Sequence, residues 1–274
     1  MEIRKISKNE YEELRSVWCD VFGDDALYVD ELYYVTKATG YVLADNDKMH
    51  SFLTVIDVGS YKDRTVKMIY AVCTRPESRG QGYASKLVAY VRDEIDAGGT
   101  LSLICPADSD LVSFYDKLGY KAAFYAKNSS AAANDIGLSL SILSEEEYSE
   151  YRKAFLADIP HIELCDSFTK FVKQDSHNSQ GFVLINNGDA ICTVNYGNDE
   201  EVGISEILVN PVLLSRSLEI ADQLAEGLAA LFDVKTCYYR TTAYSESYVQ
   251  GMIYGCDVDA ISSEILPYFG HPLD

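Results

Sequence analysis

Metal-ligand spacing is missing from this chain. Its four histidines (His50, His161, His177, His271) stand far apart and no Cys-x-x-Cys occurs, so a metal site has no starting point. The seven cysteines (Cys19, Cys73, Cys105, Cys165, Cys192, Cys237, Cys256) are odd in number, scattered, and mostly inside apolar, strand-like runs. That pattern speaks against a disulfide framework and for reduced thiols packed in a core. No stretch approaches the roughly 18 apolar residues of a membrane-crossing helix. The first residues, Met1-Glu2-Ile3-Arg4-Lys5, lead into a charged segment rather than a signal-peptide core, and the expectation is a cytoplasmic protein without a membrane partner. Basic residues are few, 23 Lys and Arg against 43 Asp and Glu, for a formal net charge of −20. Nucleic acid is excluded as a partner on that ground, because phosphate backbones call for basic patches. The two commoner phosphate loops are missing as well. There is no Gly-Lys-Ser/Thr ending and no three-glycine dinucleotide pattern.

What is present is a chain of 274 residues, 47% hydrophobic and 12% aromatic, which excludes a disordered protein and suits two ordinary domains better than one. It is organised around one short stretch. Val66-Lys67-Met68-Ile69-Tyr70-Ala71-Val72-Cys73 is apolar and β-rich enough for a buried strand. Thr74-Arg75-Pro76-Glu77-Ser78-Arg79-Gly80-Gln81-Gly82 follows as a turn, and Ala84, Leu87, Val88, Val91 and Ile95 then mark the apolar stripe of a helix. Strand, glycine turn and helix together aim backbone N–H groups at one point. The first four amides of a helix have no internal partner, and the helix dipole adds partial positive charge there. Gly80 and Gly82 take away the Cβ atoms that keep a phosphate at a distance, and Arg79 adds a permanent cation. The stretch reads as a pyrophosphate cradle. A plain turn fits the same residues, so a second stretch has to separate the two.

That second stretch is Thr100-Leu101-Ser102-Leu103-Ile104-Cys105, a short buried strand, then Pro106-Ala107-Asp108-Ser109 and a helix over 110–118 stopped by Gly119. Asp108 or Ser109 is placed to cap it. Arg79-Gly80-Gln81-Gly82-Tyr83-Ala84 resembles the acyl-coenzyme-A loop of the GCN5-related N-acetyltransferase (GNAT) family, Arg/Gln-x-x-Gly-x-Gly/Ala. Phe-Tyr-Asp-Lys-Leu-Gly-Tyr over 114–120 resembles that family's second signature, in the family's order and spacing. The resemblance implies the fold, with element order β-α-α-β-β-β-α-β-α-β, and acetyl-coenzyme A as cosubstrate. It also implies roles. The amides of Arg79, Gly80, Gln81, Gly82, Tyr83 and Ala84 would hold the pyrophosphate, and the backbone of Val72, Cys73 and Thr74 the pantetheine arm. Tyr115 would protonate the departing thiolate, and the Cys73 amide would meet the oxyanion. Two departures stand out. Asp108 occupies a position that is often Asn in the family, which puts a pantetheine contact in doubt, and Leu111 occupies one that is usually small.

The remaining residues repeat the scheme. Lys127-Asn128-Ser129-Ser130-Ala131-Ala132-Ala133-Asn134-Asp135 is small and polar enough for a connection between domains 1–127 and 138–274. Strand-like runs at 138–143, 181–186, 190–195, 203–209 and 234–240 alternate with a helix opened by Glu145-Glu146-Glu147 and a long amphipathic helix through Leu218, Ala221 and Leu228. The fold class is accordingly α/β (α+β), two acetyltransferase-type mixed-sheet units with the second degenerate. Where the first half has its glycine turn, the second has Asn210-Pro211-Val212-Leu213-Leu214-Ser215-Arg216, so no coenzyme is expected there. The tandem plan resembles the enhanced-intracellular-survival acetyltransferases, which acetylate amines.

The acceptor is thus expected to be a primary amine, on a small molecule or on a peptide or protein lysine. Residues 1–137 hold 16 basic against 21 acidic side chains and the remainder 7 against 22, net −5 and −15. An acidic second half that walls the acceptor cleft would draw a cation, whereas acids that only aid solubility would not. The general base is open among His50, Glu31 and the Asp274 side chain or terminus, with a water chain as substitute; Lys67, on the coenzyme strand, is unsuited. A homo-oligomer stays open, and so does the alternative of a regulatory or protein-interaction module that binds acetyl-coenzyme A without turnover.

Overall fold

The computed structural model describes residues 1–45, 48–175, 181–198, 200–242, 247–255, 266–271 and 273, with only the backbone at 196–198 and 214–218. Two compact units divide the chain, Met1–Ala123 with Gly251–Ala260, and Phe124–Gln250 with Ile261–Asp274.

The first unit runs β1 (Glu2–Lys5), α1 (Tyr11–Phe22), α2 (Ala26–Thr36), β2 (Thr39–Asp45), β3 (Lys48–Tyr61), β4 (Arg64–Thr74), α3 (Tyr83–Ala97), β5 (Leu101–Ile104), α4 (Ser109–Lys117) and the start of β6 (Lys121–Ala132). Gly23, left-handed at φ 79°, ends α1, and the Asp25 carboxylate caps α2 by accepting from the Leu27 N–H at 2.8 Å. Strands β1 to β4 pair antiparallel in sequence order, and β4 pairs parallel with β5. α3 buries the stripe Leu87, Val88, Val91 and Ile95, each worth about 1.5–3 kcal/mol. Trp18 of α1, fully buried, stacks on Phe52 of β3 at 6.4 Å between centroids.

The sheet of this unit is completed from far along the chain. The second half of β13 (Tyr248–Tyr254) pairs antiparallel with β5, Met252 opposite Ile104 and Tyr254 opposite Ser102. The Tyr254 ring lies against Tyr120 and under the Arg92 guanidinium, 4.3 Å from its centroid, and Arg64 donates to the Gly255 carbonyl. The strand expected from Tyr120 to Ala126 is longer than its apolar run suggests. β6 continues through Ala132, with Lys127 to Ala132 paired to Thr241 to Thr236. The stretch read as a linker is therefore mostly strand. Its small residues show half-exposed alternation, which a sheet with one wet face permits and composition alone disguises as a loop.

The second unit contains the rest of β6, then β7 (Leu140–Ile142), α5 (Glu145–Phe155), β8 (Glu163–Leu164), α6 (Asp166–Asp175), β9 (Gly181–Ile185), β10 (Ala190–Asn198), β11 (Glu201–Val209), α7 (Ser217–Leu231) and β12 (Thr236–Thr241). Its sheet order is β6-β12-β11-β10-β9-β7, antiparallel except for β11 with β12. α5 opens with a capping box, Ser144 and Glu147 each bonding the other's backbone N–H. α7 packs Ala221, Leu224, Ala225 and Leu228 onto Val194, Val202 and Ile204. The element order repeats that of the first unit, as the order of strand-like and helical runs in the sequence indicated, and the single parallel pair is repeated with it.

Candidate active site

β4 sets the site through the places where its pairing stops. Its parallel ladder with β5 covers only Val66 to Ile69 against Leu101 to Ile104, so Tyr70 to Thr74 run on without a β5 partner. On the other side the register with β3 jumps, Thr54 facing Tyr70 but Phe52 facing Cys73. This is a β-bulge, with Ala71 held left-handed at φ 49°. A bulge re-aims the backbone groups that follow it. Pairing with β3 resumes at Cys73 opposite Phe52 and Thr74 opposite Ser51, while the β5 side of Val72, Cys73 and Thr74 stays without a strand partner. The Cys73 carbonyl accepts from Ser51 Oγ at 2.6 Å, and Ser51 Oγ also lies 3.0 Å from Thr74 Oγ1. The Cys73 side chain is 2% exposed, and burial pushes its thiol up to about 11. Its thiol is thus neutral, and its backbone is the part left to act.

Beyond β4 the chain makes one tight 3-10 turn, Pro76–Ser78, then passes through Arg79 and the left-handed Gly80 (φ 75°) and Gly82 (φ 74°) into α3. Nothing lies within 4 Å of where a Cβ at either glycine would sit. The side of the turn that glycine keeps clear is open space, and the protein's own packing does not require it to be so. The N-terminus of α3 has no side-chain cap, unlike α2, α4 and α5. Its first amides therefore stay available, with the dipole's positive end behind them. Arg79 is exposed and spends one hydrogen bond, Nε to the Thr74 carbonyl at 3.2 Å. Tyr83 donates to Gln81 Oε1 at 2.7 Å, and the Ala84 side chain is half-buried at the helix start. Arg75 ties the turn to the body of the unit, Nε to the Met49 carbonyl at 2.8 Å and Nη2 to Glu13 of α1 at 2.5 Å.

Tyr115 sits on α4, its ring buried at 6% exposure between Phe114 and Tyr120. Its hydroxyl has no hydrogen-bond partner among the described residues. Burial, followed by Cys105 and Asp108, pushes the phenol up to about 12, so it carries its proton at every physiological pH. Asp108, where the family often has Asn, accepts from the Leu111 N–H at 2.8 Å and is the cap of α4. A carboxylate there serves the helix. Leu111 is half-buried.

These features coincide with a match to the acetyltransferase (GNAT) domain model over residues 2–123. Residues 2–123 are a GNAT acetyltransferase domain. No curated protein sequence matches the chain. Among solved structures it resembles a conserved protein of unknown function from Enterococcus faecalis V583, with 11% identity over 92% of this chain and 72% of that one at a TM-score of 0.66. It is also similar to Eis1 from Mycobacterium abscessus, with 11% identity over 95% and 75% at TM-score 0.58. A tandem GNAT protein of the clavulanic acid biosynthesis pathway matches at 12% identity over 92% and 96%, TM-score 0.53. At such identities these likenesses concern the fold, and they extend it over both units.

The second unit repeats the strand plan of the first and closes it. β11 pairs parallel with β12 only from Glu201 to Ile204, and its register with β10 jumps between Thr193 and Val194, as β4 does beside β3. Here, however, side chains bridge the divergence. Arg240 Nη1 reaches the Ser205 carbonyl at 3.4 Å and Thr241 Oγ1 the Ile207 carbonyl at 2.9 Å. The turn after β11 is bound to itself and its neighbours, Val212 N–H to Asn210 Oδ1 at 3.1 Å and Asn210 Nδ2 to the Gly188 carbonyl at 2.9 Å. None of residues 210–216 has positive φ. Beside the bulge lies Glu206, fully buried, salt-bridged to Arg152 at 3.2 Å and bonded by Tyr148.

The candidates for a general base disperse. His50 Nδ1 is 2.8 Å from Ser78 Oγ, Lys67 pairs with Asp57 at 3.4 Å, and Glu31 is a half-buried residue of α2. Asp274 lies outside the described residues. Among the described residues no group of His, Cys, Asp and Glu is arranged to hold a metal ion, and no helix is long and apolar enough to cross a membrane. Sequence reasoning missed the Ala71 bulge, for which Tyr-Ala-Val-Cys carries no signal. It also missed Ser78 as the partner of His50, because Pro76-Glu77-Ser78 looks like an ordinary turn.

Proposed function

We propose that the first unit transfers an acetyl group from acetyl-coenzyme A to a primary amine of a cationic acceptor, and that each chain binds one coenzyme. The observation that carries this reading is the open, uncapped turn at Gly80 and Gly82, set at the end of a bulged strand that has run past its β5 partner. Acetyl-coenzyme A fits it chemically. The amides of residues 79–84 and the Arg79 guanidinium would receive the pyrophosphate, and the backbone edge of Val72, Cys73 and Thr74 that has no β5 partner the pantetheine arm. The neutral amine attacks the thioester carbon, and the carbon–sulfur bond breaks as the new amide forms. The Cys73 N–H donates to the oxygen on which charge develops. Tyr115, held neutral by burial, gives its proton to the leaving thiolate, and the amine's surplus proton passes to water.

Gly82→Val should weaken acetyl-coenzyme A roughly tenfold or more, because its side chain occupies the open face where the phosphates approach. It also strains a backbone at φ 74°, so Gly23→Val serves as control. Gly23 has nearly the same backbone (φ 79°) and nothing within 4 Å of a Cβ, and that change should cost stability without touching coenzyme affinity. Equal affinities in the two variants would contradict the cradle.

The net charge of −20 supports a cationic acceptor. Attraction to it is screened over a Debye length of about 8–10 Å. KM for the amine should therefore rise with ionic strength and stay constant in neutral osmolyte of matched concentration. Thiol release over a panel of cationic, neutral and anionic amines tests the reaction itself. Binding without release for any amine would favour a coenzyme-sensing module instead.

A further inference from the structure

The geometry points to His50 as a positioning residue for the coenzyme's phosphates, acting through the turn that precedes the glycines. This rests on the acetyl-coenzyme A reading of that turn and adds a residue to it. His50 lies on β3, and its backbone carbonyl accepts from the Arg75 N–H at 3.0 Å, which ties β3 to the chain as it leaves β4. Its side chain reaches further along. Nδ1 stands 2.8 Å from Ser78 Oγ, and the ring lies tilted against that of Tyr83 with centroids 5.2 Å apart. Ser78 is the last residue before Arg79-Gly80-Gln81-Gly82, and Tyr83 is the first after it. One imidazole thus touches both ends of the cradle.

The hydrogen bond matters because of where the hydroxyl is. Ser78 is 2% exposed, and its Oγ has the imidazole as its partner. A buried hydroxyl without a partner is costly, and a short turn that runs on into two left-handed glycines has cheap alternative conformations in which the hydroxyl finds water. Losing the partner would therefore shift the turn away from the arrangement in which its amides converge. The contact engages Nδ1 of His50 and gives the ring a part in holding the turn, separate from any part in proton transfer.

Three variants test the role. His50→Phe keeps a ring beside Tyr83 and removes the hydrogen bond. His50→Asn keeps a polar atom near the Nδ1 position and removes the ring. Ser78→Ala removes the buried hydroxyl itself. The expected result is a KM and Kd for acetyl-coenzyme A about tenfold higher in His50→Phe, with kcat at saturating coenzyme within about twofold and KM for the amine unchanged. His50→Asn should recover most of the affinity. Combining His50→Phe with Ser78→Ala should add little to either loss, since both remove one interaction. If His50→Phe does not fold, Ser78→Ala decides, and wild-type coenzyme affinity in that variant overturns the proposal. Unchanged affinity in a folded His50→Phe overturns it too, and leaves the coenzyme reading intact. A wild-type protein that binds no acetyl-coenzyme A removes both.

Discussion

Tyr115→Phe should lower kcat by about 100-fold and leave the affinity for acetyl-coenzyme A nearly unchanged. General acid catalysis is worth roughly 10²–10⁴-fold, and the lower end applies because a coenzyme thiolate is a tolerable leaving group even unprotonated. The change keeps the ring packed against Phe114 and Tyr120 and deletes one oxygen that has no partner among the described residues. Stability should hardly move, so a loss of rate belongs to chemistry. The pH profile gives an independent check. Burial raises the phenol to about 12, so its active, protonated form persists as pH climbs past the ordinary value near 10. Wild-type kcat should show no alkaline fall from this group below about pH 10. An unchanged kcat in Tyr115→Phe, measured where chemistry limits the rate, would remove Tyr115 from the mechanism.

The second large effect concerns stability. Glu206→Gln should destabilise the second unit by about 3–5 kcal/mol, the usual cost of leaving one member of a buried ion pair alone. Glu206 and Arg152 are 0% and 3% exposed, so no solvent screens them. Arg152 also donates to the Ile162 carbonyl at 2.8 Å and the Phe269 carbonyl at 2.6 Å, and Tyr148 Oη lies 2.8 Å from His271 Nε2. The pair thereby anchors residues 269–271, and a Cβ at Gly270 would collide with Glu206 Oε2. Arg152→Met in the same chain should return part of the loss, because the stranded charge is then gone.

Acid should act on the same network. Burial opposes ionisation of Glu206, but the Arg152 guanidinium prevails and holds the carboxyl below the ordinary range. A carboxylate depressed in the folded state stabilises fully above its unfolded pKa of about 4.3, and that stability drains away as pH falls below it. Burial also lowers His271. The unfolded chain then takes up a proton near pH 6.5 that the folded one refuses, so stability begins to decline there in the same direction. Thermal unfolding followed from pH 7 to 4 should show the midpoint falling throughout, with a flatter course below pH 4.5 in Glu206→Gln. A midpoint that rises on acidification would contradict the charge assignment.

Legibility divided by the range of the interactions. The turn at 79–84 and the helix at 109–117 declare themselves because their determinants are local: left-handed glycines, a capping Asp108, an apolar stripe at helical spacing. The return of β13 to β5 was not legible. Met252 and Ile253 look like any buried strand, and no local rule says which edge they will find. For the same reason the compact unit of residues 1–123 includes, unannounced by the sequence, the strand that covers β5 and packs on Tyr120. Glu206 was unreadable as a core residue because its partners Arg152 and His271 are distant in sequence. Asp108 shows the opposite case, a departure from the family pattern whose structural use as a cap lies in the next three residues.

Titration calorimetry of the whole chain with acetyl-coenzyme A tests the central claim most directly. One site per chain is expected, weakened by Gly82→Val and untouched by Gly23→Val, because among the described residues only the first unit keeps an open glycine turn beside a strand end that has run past its parallel partner. Two sites per chain, or one site indifferent to Gly82, would contradict it.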